Sequence, residues 1–265
     1  MIKQTLFLLL AAAGVCAAQN ADTKTPQAFE VVSIKPSDPS APRNGCYIRG
    51  EPGGKMFIGK CVPLHAIISW AYRVSDAQIS GEPDWVKTEA WDFQAKLERP
   101  TDRTEMLKMF QSLLGERFGL KLHTEARTMP ALVLTVDKNG PKMKENKDPD
   151  NWEIMMVSAG GGPPPKPPKW AGQRCSMSYL AWWFGRLQNR PGVDKTGLPG
   201  FFDFTIEFVP DNLQDLKGPN GEPGPAFDGP TMYTAVREQL GLKLESTKAP
   251  VDVMVIDHVE KASAN

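Results

Sequence analysis

The sequence predicts an α+β protein made of two tandem, similar modules of roughly β-α-β-β-α-β-β order, with antiparallel or mixed sheets. The main observation is a repeat, because "GLKLESTKAPVDVMVIDHVEK" (241–261) loosely copies "GLKLHTEARTMPALVLTVDK" (119–138). Strand-like and helix-like hydrophobic periods also recur in the same order in both halves. The 265 residues, 41% of them hydrophobic, are enough to build real cores.

The opening elements of the two halves form matching pairs. The apolar runs "FEVVSIKPS" from Phe29 and "NWEIMMVSAGG" from Asn151 each predict the first strand of a module. Helices follow in "VPLHAIISWAY" and "MSYLAWWFGRL", where apolar residues recur at i, i+3, i+4 and i+7. We expect Ser178 to cap the second of these helices.

The later elements match as well. A turn and an alternating strand come next in each half, and a second helix then ends at Gly119 or Gly241. The repeated stretches close each half as two strands with a turn at Pro130 or Pro250. Because "ALVLTV" is apolar on both faces, it is expected to be a central, covered strand.

These elements define the expected domain boundaries. The first module covers 29–146 and the second covers 173–260. Residues 147–172 form a Gly/Pro-rich linker that includes the first strand of the second module, because "AGGGPPPKPPKW" is too rich in Gly and Pro to be regular.

The N-terminus has the layout of an export signal. A single Lys precedes an apolar run from Leu6 to Val15, and small residues end at Ala18. We therefore expect 1–18 to be a cleaved signal peptide and 19–28 to be a flexible segment. Since no second apolar run follows, no transmembrane segment is expected after cleavage, and the mature protein is predicted to be periplasmic or secreted.

Three cysteines remain after such cleavage, and an oxidising compartment favours one disulfide. Cys46 and Cys61 flank a Gly/Pro turn between extended stretches and are the first candidate pair. Cys61 with Cys175 is the alternative. Dispersed cysteines without CxxC spacing and only three histidines argue against structural zinc, so no metal site is predicted.

The charge balance and the missing sequence motifs limit the classes of function that the chain could have. Lys plus Arg equals Asp plus Glu at 31 each, without a run of one sign, which argues against a nucleic-acid partner. A small molecule, a glycan or an envelope protein stays open as the partner. HExxH, GxSxG, Walker and GxGxxG patterns are missing from the sequence, so no catalytic residue and no cofactor is predicted.

Two motifs invite a catalytic interpretation. Residues 195–197 spell the KTG of penicillin-recognising serine enzymes, but no serine in the chain has lysine three positions on, so a turn is expected. The histidines His65, His123 and His258 are scattered, which indicates surface or interface histidines. The carboxylates Asp84, Glu89 and Asp92 lie close together in sequence and are expected in a solvated turn.

Tryptophans are the most suggestive residue class. Trp70 and Trp182 lie off the predicted helical stripes, and Trp85 and Trp170 lie in or beside loops. Exposed, they could stack on sugar rings or anchor a peptide. The favoured interpretation is that they pack the two modules against each other.

Several strings together resemble one family: "FEVVSIKPS", "VPLHAIISWAYRV", "QISGEPDW", "DFQAKL", "LLGERFGLKLH", "VDKTGLPGFFDFT" and "QLGLKLESTKAPVDVMVIDHVEK". They are similar to a soil-associated family of uncharacterised exported proteins that is expanded in acidobacterial genomes. The resemblance spans nearly the whole mature chain. It implies an exported domain of unknown function whose relatives are sometimes fused to membrane metallopeptidases of the BlaR/MecR sensor type. It implies no reaction.

The leading hypothesis is an exported module that binds or senses a ligand at the cell envelope and has no catalytic activity. One alternative is a hydrolase with a site between the two modules, which would use some of Asp84, Asp92, Asp203 and His258. The other is a structural assembly module, since short β-α-β units loosely resemble the N-terminal domains of secretins and TonB receptors.

Overall fold

The computed structural model describes residues 29–40, 46–50, 55–98, 101–148, 153–158, 166–211 and 227–262. The predicted signal peptide, 1–18, and flexible segment, 19–28, lie outside these residues. Helices and antiparallel or mixed sheets share the described part of the chain, so the predicted α+β class is confirmed.

The described residues form twelve strands and five α-helices. The strands are β1 Val31–Pro36, β2 Tyr47–Gly50, β3 Met56–Pro63, β4 Ile79–Ser80, β5 Ala90–Lys96, β6 Lys121–Val136, β7 Lys144–Glu145, β8 Ile154–Ser158, β9 Lys169–Cys175, β10 Gly192–Asp194, β11 Phe202–Glu207 and β12 Leu242–His258. The helices are α1 Leu64–Tyr72, α2 Asp84–Thr88, α3 Arg103–Phe118, α4 Met177–Leu187 and α5 Met232–Leu240.

Two of the sheets are each built from one stretch of the chain, the first from residues 31–96 and the third from residues 144–207, so β7 of the third sheet lies inside the predicted first module. The first sheet has the order β1-β5-β3-β2 and the third has the order β7-β11-β9-β8, with all neighbours antiparallel. Side chains of α1 and α3 pack with the first sheet in one core, and those of α4 and α5 pack with the third sheet in another. Since the helices cover one face of each sheet, strand residues alternate between apolar and polar.

The second sheet joins the two halves. Its order is β10-β6-β12-β4, and the long strands β6 and β12 pair antiparallel from Leu242 opposite Val136 to His258 opposite Lys121. β6 comes from the first half, yet its Leu134 is fully buried in the second core. β12 comes from the second half, yet its Ile256 is buried in the first core. Each core is therefore completed by a strand from the other half.

The two prolines lie inside these long strands, so the turns predicted at Pro130 and Pro250 were wrong. The N–H of Leu132 donates to Pro191 O at 2.8 Å, away from β12, and N–H groups of alternate residues in a strand point the same way. The nitrogen of Pro130 therefore also points away from β12. Pro250 pairs with Thr128 in the same register, so its nitrogen points away from β6. Neither proline removes a hydrogen bond of the β6–β12 ladder.

Helix ends and the central strand agree well with the sequence analysis. α3 ends at Gly119 (φ 57°) and α5 ends at Gly241 (φ 68°), each in the left-handed region that glycine tolerates. The segment "ALVLTV" lies in β6 between β10 and β12, and its first four residues are buried. The cap of α4 differs, because Ser176 rather than Ser178 accepts the Tyr179 N–H, at 3.2 Å.

The opening strands do not correspond as the sequence suggested. β1 pairs with β5 through Lys35 opposite Asp92, and in the third sheet the same place is taken by β7, through Lys144 opposite Asp203. β8 instead pairs with β9, as β2 pairs with β3. A two-residue strand such as β7 is too short to show periodicity, and this explains the wrong match. Within the predicted linker, β8 lies at Ile154–Ser158 and β9 begins at Lys169.

Candidate functional site

The candidate site is built around a bulge in the first sheet. Two residues of β3, Lys60 and Cys61, lie between the pairs Gly59–Phe93 and Val62–Trp91, so β3 is longer than β5 at this point. Cys61 has φ 46°, in the left-handed region. This conformation turns its N–H toward the carboxylate of Asp92, at 3.0 Å.

Asp92 is held from three sides. The Cys61 N–H and the Ser37 hydroxyl (2.7 Å) donate to Oδ1, and the Lys60 ammonium donates to Oδ2 at 2.8 Å. Burial by itself would raise the pKa of Asp92, but these hydrogen bonds outweigh it and bring the pKa to about 2. Asp92 is therefore a fixed, ionised acceptor at neutral pH. The solvated turn expected for this carboxylate was wrong.

A polar cavity of about 170 Å³ lies beside this carboxylate. Ser33 and Lys35 of β1 lie opposite Gln94 and Asp92 of β5, which places their side chains on the sheet face that the helices do not cover. The cavity is lined by Ser33, Lys35, Lys60, Asp92, Phe93 and Gln94.

The third sheet contains the same bulge without the same lining. Gln173 and Arg174 lie between the pairs Gly172–Phe204 and Cys175–Phe202. Arg174 has φ 48°, and its N–H donates to Asp203 Oδ1 at 2.8 Å. The Asn146 amide takes the place of the Ser37 hydroxyl, also at 2.8 Å. Lys60 corresponds to Gln173 by this register, and Gln94 corresponds to Thr205.

Two glycines explain why both bulges look alike. A Cβ on Gly59 would lie 2.0 Å from Phe93 Cε1, and a Cβ on Gly172 would lie 2.3 Å from Phe204 Cζ. Only glycine lets the aromatic ring pass over the strand at these positions. The glycines were not predicted as part of a site, although each lies five residues before a helix, in "GKCVPL" and "GQRCSM".

The predicted disulfide between Cys46 and Cys61 is present. It joins the bulge of β3 to the residue just before β2, at the border of the cavity. The alternative pairing of Cys61 with Cys175 is wrong, because Cys175 is a free, buried thiol. Burial raises the pKa of Cys175 to about 12, so this thiol is protonated and unreactive.

His65 is not a surface histidine, which corrects the sequence analysis. Its side chain is 11% exposed, with Nδ1 at 2.7 Å from Glu82 Oε2 and Nε2 at 3.2 Å from Asp76 Oδ1. Glu82 is 3% exposed and also contacts the Lys87 ammonium at 2.8 Å. The hydrogen bonds to Asp76 and Glu82 raise the pKa of His65 to about 9, despite the opposing effect of burial. This imidazolium is a structural ion, not a general base at neutral pH.

A second buried ionic cluster crosses from one half to the other. Glu153 accepts the Ser176 N–H (3.0 Å) and hydroxyl (2.7 Å) and pairs with Arg73 at the end of α1. Arg73 and Arg103 also lie over the Tyr179 ring, at 5.0 and 5.9 Å from its centre. The cluster ties α1 and α3 of the first half to α4 of the second.

The four tryptophans singled out in the sequence occupy packing positions. Trp70 contacts both cores, and its ring lies 4.9 Å from the Phe110 ring. Trp182 is buried and donates from Nε1 to Val74 O of the first half at 3.4 Å. Trp170 is buried and stacked on Phe208 at 4.2 Å. Trp85 packs at the edge of the first core, below the Lys261 ammonium.

The remaining candidates are not brought together into a catalytic arrangement. Residues 195–197 follow β10 in irregular structure, where the Thr196 N–H and hydroxyl both donate to Asp194 Oδ1 at 2.8 Å in the pattern of an Asx-turn. Asp203 accepts the Arg174 N–H in the third sheet, whereas Asp84 starts α2 and is exposed. His258, at the end of β12, lies 3.8 Å from Glu260. His123 is exposed and bonded to Asp257 at 2.8 Å.

Neither a metal site nor a membrane span is found in the part of the chain that the structure describes. There, no three His, Cys, Asp or Glu side chains form a group that could hold a metal ion. No helix among the same residues is long and apolar enough to cross a bilayer.

Comparison with known proteins gives one match. No curated protein and no solved structure matches this chain. The family described as "Protein of unknown function (DUF3738)" matches residues 65–259, which is more than half of the chain, and the chain therefore belongs to this family.

Proposed function

We propose that this chain is an exported module that binds or senses a ligand at the cell envelope, and that the ligand occupies the cavity on the open face of the first sheet. The observation that carries the proposal is the difference between the two bulges. The third sheet has a glycine, a left-handed residue and a capping aspartate at the same positions as the first sheet. It has Gln173 and Thr205 where the first sheet has Lys60 and Gln94. Side chains that the fold does not require are available for recognition.

Three further arguments support this proposal. The Cys46–Cys61 disulfide beside the cavity suits an oxidising compartment, as the export signal suggests. The strong resemblance of the two bulges supports an origin of the two halves by duplication, after which one copy could acquire a ligand. The resemblance to modules fused to BlaR/MecR-type metallopeptidases suits a role in sensing.

Catalysis receives less support than binding. Hydrolysis by general acid–base chemistry needs a group whose pKa lies near the working pH. Asp92 has a pKa of about 2 and is engaged by three donors, and Asp203 caps the equivalent bulge. Asp92 and Asp203 occupy equivalent positions in the two sheets, and each holds the backbone of its bulge in place.

The test uses the mature chain and a matched pair of variants. Native and denaturing intact-mass measurement of protein purified from its own cell envelope first shows whether a ligand is retained. Binding of glycans, peptides and small molecules is then compared for Gln94→Ala and for Thr205→Ala, its counterpart in the third sheet. We expect weaker binding for Gln94→Ala alone. Equal binding by both variants contradicts the cavity as the site, and turnover of any probe contradicts a purely binding role.

A further inference from the structure

The open face of the first sheet carries more positive than negative charge. By the register, Arg49 of β2 lies opposite Ile58, which lies opposite Gln94, so these residues share one row across the sheet. Lys35 lies opposite Asp92 in the next row, and Lys60 contacts Asp92. These rows hold three cations and one carboxylate.

The single carboxylate is already neutralised. Asp92 Oδ2 accepts from Lys60, and Oδ1 accepts from Ser37 and the Cys61 N–H. Its low pKa shows that it keeps its charge at any physiological pH. Lys35 and Arg49 are not paired with a carboxylate among the described residues. Among the described residues Arg49 lies over the Tyr47 ring, 5.0 Å from its centre, and adds positive charge to the same face outside the cavity.

The cavity beside Lys35 and Lys60 is open to solvent and has room for a small anionic group. A volume of 170 Å³ corresponds to roughly five or six water molecules at about 30 Å³ each. Ser33 and Gln94 add a hydroxyl and an amide, which are neutral groups that can bond to a polar ligand. Ammonium and guanidinium groups beside neutral donors are typical of sites for carboxylates and phosphates.

We propose that the ligand of the first-sheet cavity is a small polar molecule that carries an oxyanion, a carboxylate or a phosphate, and that Lys35, which lines the cavity, binds this oxyanion. The proposal rests on the function proposed above and adds the chemical class of the ligand. Lys60 orients the site by holding Asp92, and Gln94 contacts the uncharged part of the ligand.

The experiment follows the amide resonances of the ¹⁵N-labelled mature chain, including the Gln94 side chain. Glucuronate, glucose 6-phosphate and glucose are titrated separately at low and high NaCl. We expect glucuronate or glucose 6-phosphate, but not glucose, to shift the resonances of β1 and β5, with weaker binding at high salt. The two acidic probes distinguish a carboxylate ligand from a phosphate ligand.

Two lysines at equivalent positions provide the matched variants. Lys35→Gln is expected to weaken binding of the acidic probe by roughly two- to fivefold, the range of an exposed charge pair. Lys144→Gln, opposite Asp203 in the third sheet, is expected to leave binding unchanged. If glucose binds as well as the acids and Gln94→Ala abolishes this, the cavity is a binding site but the oxyanion inference is wrong. If no probe shifts these resonances, the oxyanion inference is overturned and the function proposed for this cavity loses its support.

Discussion

The buried imidazolium of His65 makes a quantitative prediction about stability and pH. The hydrogen bonds to Asp76 and Glu82 raise the pKa of His65 from 6.5 to about 9 in the folded chain. Because the folded pKa is raised, the stabilising charge is fully present below pH 6.5 and is lost as the pH rises through 9. A shift of this size corresponds to about 3 kcal/mol at about 1.36 kcal/mol per pKa unit.

Urea unfolding at pH 6, 7.5 and 9.5 measures this effect. We expect the free energy of unfolding of the wild-type chain to fall by about 3 kcal/mol more than that of His65→Gln over this interval. His123→Gln is the control: the hydrogen bonds to Asp257 and Glu125 also raise the pKa of His123, but these groups are half-exposed, so solvent screening should leave the pH dependence of the wild-type chain nearly unchanged. A His65→Gln variant whose unfolding free energy falls as steeply with pH as that of the wild-type chain would refute the reasoning.

Three further predictions test the packing. Gly59→Ala places a Cβ 2.0 Å from Phe93 Cε1 and should destabilise the chain by at least about 2 kcal/mol. Gly115→Ala in α3, where the nearest atom would lie 3.9 Å from the new Cβ, should stabilise the chain by about 0.5–1 kcal/mol. Thermal unfolding of the two variants measures the difference. Leu134→Ala should lower the free energy of unfolding by about 2–5 kcal/mol, measured in a single cooperative urea transition. A fragment of residues 19–146 should show no cooperative transition by itself. Independent melting of the two halves would contradict the shared cores. Glu153→Gln should cost about 2–3 kcal/mol, because Arg73 stays at the junction without the carboxylate that pairs with it, and a loss under 0.5 kcal/mol in denaturant unfolding would argue against a role for this cluster in joining the halves.

Local features of the fold could be predicted from the sequence, and long-range features could not. The positions of α3 and α5 follow from periodicity and from Gly119 and Gly241, which act through their own backbone. The exchange of β6 and β12 between the cores depends on contacts more than a hundred residues apart, which no local pattern encodes. The turns predicted at Pro130 and Pro250 were wrong because a strand tolerates proline when its nitrogen points away from the paired strand. The sequence does not show that direction.

The candidate site shows the same division. The disulfide could be predicted because both cysteines flank one short turn. The role of Asp92 could not be predicted, because its donors are Ser37, which follows β1, and the backbone of the left-handed residue Cys61 in β3. His65 looked unremarkable in sequence because Glu82 and Asp76 approach it only after the chain has turned back beyond α1.

The exchange of the long strands β6 and β12 also affects when the chain can fold. The first core lacks Ile256 and its neighbours until nearly the whole chain has been synthesised, so the early half has no complete structure in which to become trapped. A polypeptide that crosses a membrane through a narrow channel must stay unfolded until it has passed. For the exported module proposed above, closing the first core with β12 delays folding until most of the chain has crossed the membrane.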